Sequence, residues 1–202
     1  MENLKALISK GNHKLPTNYA IFNMGPAKEC PSLKLGLCQA YVNDKCVCYA
    51  MKAEIQYYLC VPSYRKRQSK YWREVTADQF VDEFLALNAR KRKPFDVLRI
   101  NESGDFYSQA CVDKACEIAA KLSLMAVKTY VYTARKDLDF TEAMKHSLII
   151  CGSGFMKKGV STNFEFLPTG EKVPKGAKVC AGNCRICDMC LKGVPRIMAR
   201  QH

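Results

Sequence analysis

Short apolar runs alternate with amphipathic stretches along most of the chain. Residues 19–24 (YAIFNM) form the first run, a buried-strand pattern closed by Gly25-Pro26. A loop carrying four cysteines follows. Residues 49–60 predict a helix stopped by Pro62. Thr76-Ala77-Asp78-Gln79 is a capping box, in which the hydroxyl and the Gln side chain each satisfy an orphan amide. The helix it opens places Phe80, Val81, Phe84, Leu85 and Asn88 on one face, apolar apart from its last member. It closes on Arg90-Lys91-Arg92-Lys93-Pro94, where the cations suit the macrodipole and the proline forces a stop. Residues 96–101 (DVLRIN) predict a strand. Residues 109–122 predict a helix with Cys111, Ala115, Ile118 and Leu122 on one face. Residues 127–133 (VKTYVYT) are rich in β-branched and aromatic side chains and predict another strand. Asp139-Phe140-Thr141-Glu142 reads as a second capping box, opening a short helix. Residues 148–151 (LIIC) and 160–166 supply the last two strands.

Strands and helices alternating at this spacing imply βα units and a parallel sheet. The expected fold is α/β, a partial (β/α) barrel or open parallel sheet over residues 1–167. Residues 168–178, rich in Gly, Pro and Lys, read as a linker or turn, and 168–202 as a cysteine-rich C-terminal extension that binds a cluster.

Eight of the twelve cysteines fall into two groups: Cys30, Cys38, Cys46 and Cys48, then Cys180, Cys184, Cys187 and Cys190 in C-x3-C-x2-C-x2-C spacing. Thiolates this dense, beside only three histidines, are the ligand set of a soft metal centre. Structural zinc sites join two knuckles through a longer loop. Successive two-residue gaps, as at Cys184, Cys187 and Cys190, are the rhythm of ferredoxin-type [4Fe-4S] ligation, so the spacing favours iron–sulfur, with zinc as the alternative. One cluster per group and a centre shared between the groups both stay open. Cys60, Cys111, Cys116 and Cys151 sit in apolar periodic segments and read as buried thiols. The three histidines read as non-ligands.

In parallel βα folds, function gathers at the C-terminal ends of the strands. The first cysteines, Glu102-Ser103-Gly104-Asp105, Ala134-Arg135-Lys136 and Gly152-Ser153-Gly154 each follow a predicted strand. One rim would then carry thiols, a carboxylate pair, a cation and a glycine turn. Taken singly, Glu102 and Asp105 also suit helix caps, Arg135 suits the surface, and Gly152 and Gly154 suit a plain turn.

The 48% hydrophobic content supports a sizeable core, and the net charge of +13 points to an anionic partner, nucleic acid or a small molecule, or else to a solvated basic surface. Residues 64–73 (YRKRQSKYWR) either grip a nucleic-acid backbone or pack Tyr71 and Trp72 inward with the charges facing water. No apolar run of the eighteen or so residues that span a bilayer is present, and residues 1–14 lack a secretory pattern. A reducing cytoplasm is the expected location, with reduced thiols in place of a disulfide framework.

Asn12-His13-Lys14-Leu15-Pro16, Ile21-Phe22-Asn23-Met24, Cys30-Pro31, Cys38 and Cys48-Tyr49-Ala50 together resemble the opening of the phage gene product 88 family. Residues 99–106 (RINESGDF), Tyr132-Thr133-Ala134-Arg135 and the closing C-x2-C-x2-C resemble its later motifs in the same order. The resemblance implies a radical-SAM-like layout, with Cys30, Cys38 and Cys48 holding a cluster and Glu102 or Asp105 contacting the amino group of S-adenosylmethionine. It places a phage-encoded protein in the host cytoplasm. Two functions follow as expectations: an iron–sulfur enzyme of radical SAM type, or a non-enzymatic iron–sulfur or zinc module that senses redox state or binds nucleic acid.

Overall fold

A computed structural model describes residues 3–38, 40–42, 45–168 and 170–200. A short strand, β1 (Ser9–Lys10), lies antiparallel to β2 (Tyr19–Phe22). Helix α1 (Pro31–Lys34), the hairpin strands β3 (Tyr41–Val42) and β4 (Lys45–Cys46), and helices α2 (Tyr49–Gln56), α3 (Val61–Glu74) and α4 (Ala77–Ala89) precede β5 (Val97–Ile100). Helix α5 (Gln109–Ser123) leads to β6 (Lys128–Thr133), followed by β7 (Leu148–Ser153), β8 (Thr162–Leu167), β9 (Lys178–Val179) and β10 (Arg196–Arg200). The main sheet has eight strands in the order β1-β2-β5-β6-β7-β8-β10-β9. Every pairing in it except β1 with β2 is parallel. The mixed α/β architecture with a mostly parallel sheet is the one the alternating pattern implies. The C-terminal residues do more than extend it, because β9 and β10 complete the sheet beside β8.

Side chains alternate across a strand, so the register sorts them into two faces. Ala20, Phe22, Leu98, Ile100, Val131, Leu148 and Ile150 share one face and join the main core with α3, α4 and α5. Phe22 packs on Phe80 with ring centroids 5.3 Å apart, and Trp72 on Phe80 at 6.0 Å, both edge-on. Tyr71 and Trp72 are buried, which settles the inward half of the 64–73 stretch as packing. The other face carries Tyr19, Ile21, Val97, Tyr130, Tyr132 and Cys151, and the second cysteine group packs on it through Cys184 and Cys190.

Three expectations need correction. Pro62 starts a helix where a stop was expected: α2 ends at Gln56, and Pro62 sits in the first turn of α3. A missing N–H costs nothing there, since first-turn amides have no intrahelical partner. Residues 141–147 form turns, not a capped helix. The Asp139 carboxylate accepts from the Thr141 N–H (2.9 Å) and hydroxyl (2.5 Å), two residues on, in an Asx turn, while Glu142 pairs with Lys145 at 2.8 Å. Cys60 is exposed in the α2–α3 turn, whereas Cys111, Cys116 and Cys151 are buried. The Thr76 capping box is present in both directions. Among the described residues, no helix is long and apolar enough to cross a membrane.

Candidate metal centres

The second cysteine group curls over the sheet face opposite α3, α4 and α5, which is helix-free among the described residues. The Cys180 N–H donates to Met198 O (2.8 Å), and the Cys184 N–H donates to Lys14 O (3.0 Å), so the loop is tied to β10 and to the N-terminal segment. Cys180, Cys184, Cys187 and Cys190 all line one cavity of about 40 Å³, floored by Tyr19, Arg99, Tyr130 and Tyr132. The Tyr132 hydroxyl and Cys190 Sγ are 2.9 Å apart. Cys151 donates a hydrogen bond to Cys190, and this, with the Tyr132 hydroxyl and the Arg99 charge, lowers the Cys190 thiol to about 7 against the cost of burial. Cys184 moves the opposite way, raised by burial and by its three sister cysteines despite Arg99.

Arg99 stands on the same face as Ile21 and Tyr130, its register partners in β2 and β6. Its guanidinium lies over the Tyr132 ring, 5.2 Å from the centroid. The Nε is buried and has no hydrogen-bond partner. Burial opposes its charge, but Tyr130, Tyr132, Glu102 and Cys184 together outweigh that and hold it firmly protonated.

The first cysteine group gathers at the C-terminal end of β2. Cys30 precedes α1, Cys46 ends β4, and Cys48 precedes α2. Cys46 and Cys48 pack with Leu33 around Ala27, Ala50 and Met51. Burial, then the Asp105 charge, push the Cys30 thiol up to about 12. Cys38 is raised too, by burial and then by Cys48 and Asp105. The charge of Cys38 bears on Cys30, and that of Cys48 on Cys38. Beneath them, buried Glu54 accepts from Ala27 N (2.7 Å) and pairs with buried Arg65 (2.8 Å), which pins α2 and α3 to this loop.

The two carboxylates differ. Asp105 is buried and spends its oxygens internally, accepting from Ser32 Oγ (2.6 Å), Ala134 N (2.9 Å) and Phe106 N (2.8 Å). It thereby ties the cysteine loop to the ends of β5 and β6. Glu102 is only part-buried and accepts from Asn12 Nδ2 at 2.6 Å. Gly104 has φ +74°, and an added Cβ would meet the Gly25 backbone at 2.7 Å, so only glycine allows the two loops this approach. Arg135 is buried, forks onto Asp137 through Nε (2.8 Å) and Nη2 (2.7 Å), and donates to Phe106 O. Gly154, at φ +78°, shapes the β7–β8 turn, its N–H donating to Phe164 O (2.9 Å). Among the described residues, no three Cys, His, Asp or Glu side chains form a ready-made cage for a metal ion.

The profile of a protein family described as Gene product 88 matches residues 3–149. The chain belongs to the gene product 88 family. No significant match to a curated protein or to a solved structure accompanies it. The gene product 88 match takes in the first cysteine group, the Asn101–Asp105 loop and Arg135, and it ends before the second cysteine group. Outside the matched residues, β8, β9 and β10 finish the sheet that the gene product 88 segment begins.

Sequence reasoning missed Arg99, Tyr130, Tyr132 and Cys151. A signal existed: one arginine inside an apolar strand, two tyrosines at period two in the next, and a cysteine ending a third. What lacked a signal was the crossing of residues 180–191 over these strands, which depends on the return of β10.

Proposed function

We propose that this gene product 88 family member is an iron–sulfur protein, with Cys180, Cys184, Cys187 and Cys190 holding a cluster against the helix-free face of the sheet. One observation carries the reading: four thiols line a single cavity whose floor contains a buried, unpartnered guanidinium nitrogen. A thiolate-ligated cluster is anionic, and the guanidinium on the cavity floor meets that charge. Tyr132 and Cys151 supply hydrogen bonds to the Cys190 sulfur, the kind of outer contact that orients a ligand and sets potential. The donor set is equally open to zinc in principle, but its two-residue gaps favour a cluster.

Cys30, Cys38 and Cys48 form the second candidate site, with Cys46 at its edge. Three thiolates leave one iron of a [4Fe-4S] cluster without a protein ligand. The layout supports a radical-SAM-like reading: a cysteine loop after the first parallel strand and an acidic loop after the second, joined by the Ser32–Asp105 hydrogen bond. In this reading S-adenosylmethionine at a reduced cluster supplies one-electron chemistry. Glu102 is then the carboxylate able to meet an amino group, while Asp105 positions the cysteine loop. A reducing compartment such as the cytoplasm suits both thiol sets.

EPR of the anaerobically reduced protein tests the scheme. Two signals are expected, one lost in Cys184→Ser and the other in Cys38→Ser, and only the latter signal shifts on adding S-adenosylmethionine. Spectra unaffected by that cofactor remove the radical SAM reading, and the absence of any cluster signal removes the iron–sulfur reading.

A further inference from the structure

The turn joining α2 to α3 exposes an almost continuous apolar edge. Ile55, Tyr57, Tyr58 and Leu59 are 58%, 53%, 70% and 80% exposed. Large side chains left in water within five residues mark a contact surface. Helix α3 carries the surface onward. Its inner face buries Arg65, Gln68, Tyr71 and Trp72. Its outer face exposes Lys66, Arg67, Lys70 and Arg73, a basic stripe running about 10 Å along the helix axis. Lys66 meets Glu29 at 3.1 Å and Lys70 meets Glu74 at 3.9 Å, both at the surface, and such exposed pairs yield readily to a phosphate. Arg67 lies over Tyr64 (5.6 Å) and Arg73 over Tyr107 (4.6 Å).

We propose that this surface binds single-stranded nucleic acid. Tyr57 and Tyr58 stack on bases and the α3 cations neutralise phosphates, the pairing of ring faces with a basic track that single strands require. The net charge of +13 complements a polyanion. Two features select against other occupants. Tyrosines on a tight turn offer stacking faces, which bases already stacked in a duplex cannot use. A cationic stripe beside the rings disfavours an apolar protein partner, because interface cores are depleted of charge. The surface does not include the proposed cluster ligands.

The test is fluorescence anisotropy on the full chain, purified anaerobically, with labelled oligothymidine and oligouridine, the matching duplex, and an abasic strand of equal length. Single strands of either kind bind, with affinity that falls as salt rises. The Tyr57→Ala, Tyr58→Ala double variant loses about thirtyfold or more in affinity at an unchanged salt slope. The Lys66→Gln, Lys70→Gln double variant flattens the log–log salt slope by about 1.4. All four positions are exposed, so circular dichroism and metal content stay those of the parent chain. Absence of binding at low salt, equal binding of the abasic strand or duplex, or an unshifted tyrosine variant overturns the proposal. Because metal content is read on the same samples, that failure is distinguishable from failure of the cluster assignment.

Discussion

Asp105 shows how burial decides a residue's role. Burial is the largest influence on its carboxyl and raises the pKa, and the hydrogen bonds it accepts lower it without cancelling the effect. A carboxyl raised on folding takes up a proton as the chain folds. Its stabilising contribution is full below the unfolded-state pKa and is lost as pH rises through the folded-state value. Asp105→Asn cannot titrate, and its amide nitrogen takes the place of one carboxylate oxygen, setting a donor against either the Ala134 or the Phe106 N–H at a cost of about 1–3 kcal/mol. The gap between parent and variant is therefore widest in acid and narrows toward neutral pH. Urea unfolding over a pH series measures it, and a gap that widens with pH contradicts this view. Arg99 is the opposite case, a buried nitrogen with no partner of its own. If the proposed cluster is present, Arg99→Gln removes a cation beside its negative charge, so it becomes harder to reduce and its midpoint potential falls. An unchanged potential in a redox titration separates Arg99 from the centre.

Elements were legible where local chemistry acts alone. The Thr76–Gln79 box is closed by the Gln79 N–H to Thr76 Oγ1 (3.2 Å) and the Thr76 N–H to Gln79 Oε1 (3.0 Å), as its spacing implies. Thr76→Ala costs about 1 kcal/mol and lowers the urea midpoint with an unchanged m-value. An unmoved midpoint would mean that α4 is held by Phe80 and Phe84 alone. The strands at 97–100, 128–133 and 148–153 were readable because apolar, β-branched runs leave few other choices. Asp139-x-x-Glu142 misled because the same residue type serves both a helix cap and an Asx turn, and Thr141 offers the nearer donors. Pro62 misled because a proline that ends one helix also suits the first turn of the next.

At the scale of the whole molecule, the sheet order distributes the chemistry. Sequential parallel strands bring the cysteine loop and the Asn101–Asp105 loop to one rim, which the βα alternation made foreseeable. The helix-free face was not foreseeable, since two-residue β9 and the return of β10 beside β8 carry little local pattern. That return lays Cys180 to Cys190 over Arg99, Tyr130 and Tyr132, joining residues that lie from about fifty to about ninety positions apart in the chain. The proposed function requires that these thiols bind iron and sulfide. Iron, acid-labile sulfide and zinc are therefore determined on anaerobically purified protein. Iron and sulfide in equal amounts, both reduced in Cys184→Ser, are expected; stoichiometric zinc without sulfide, or protein free of metal, contradicts the cluster assignment.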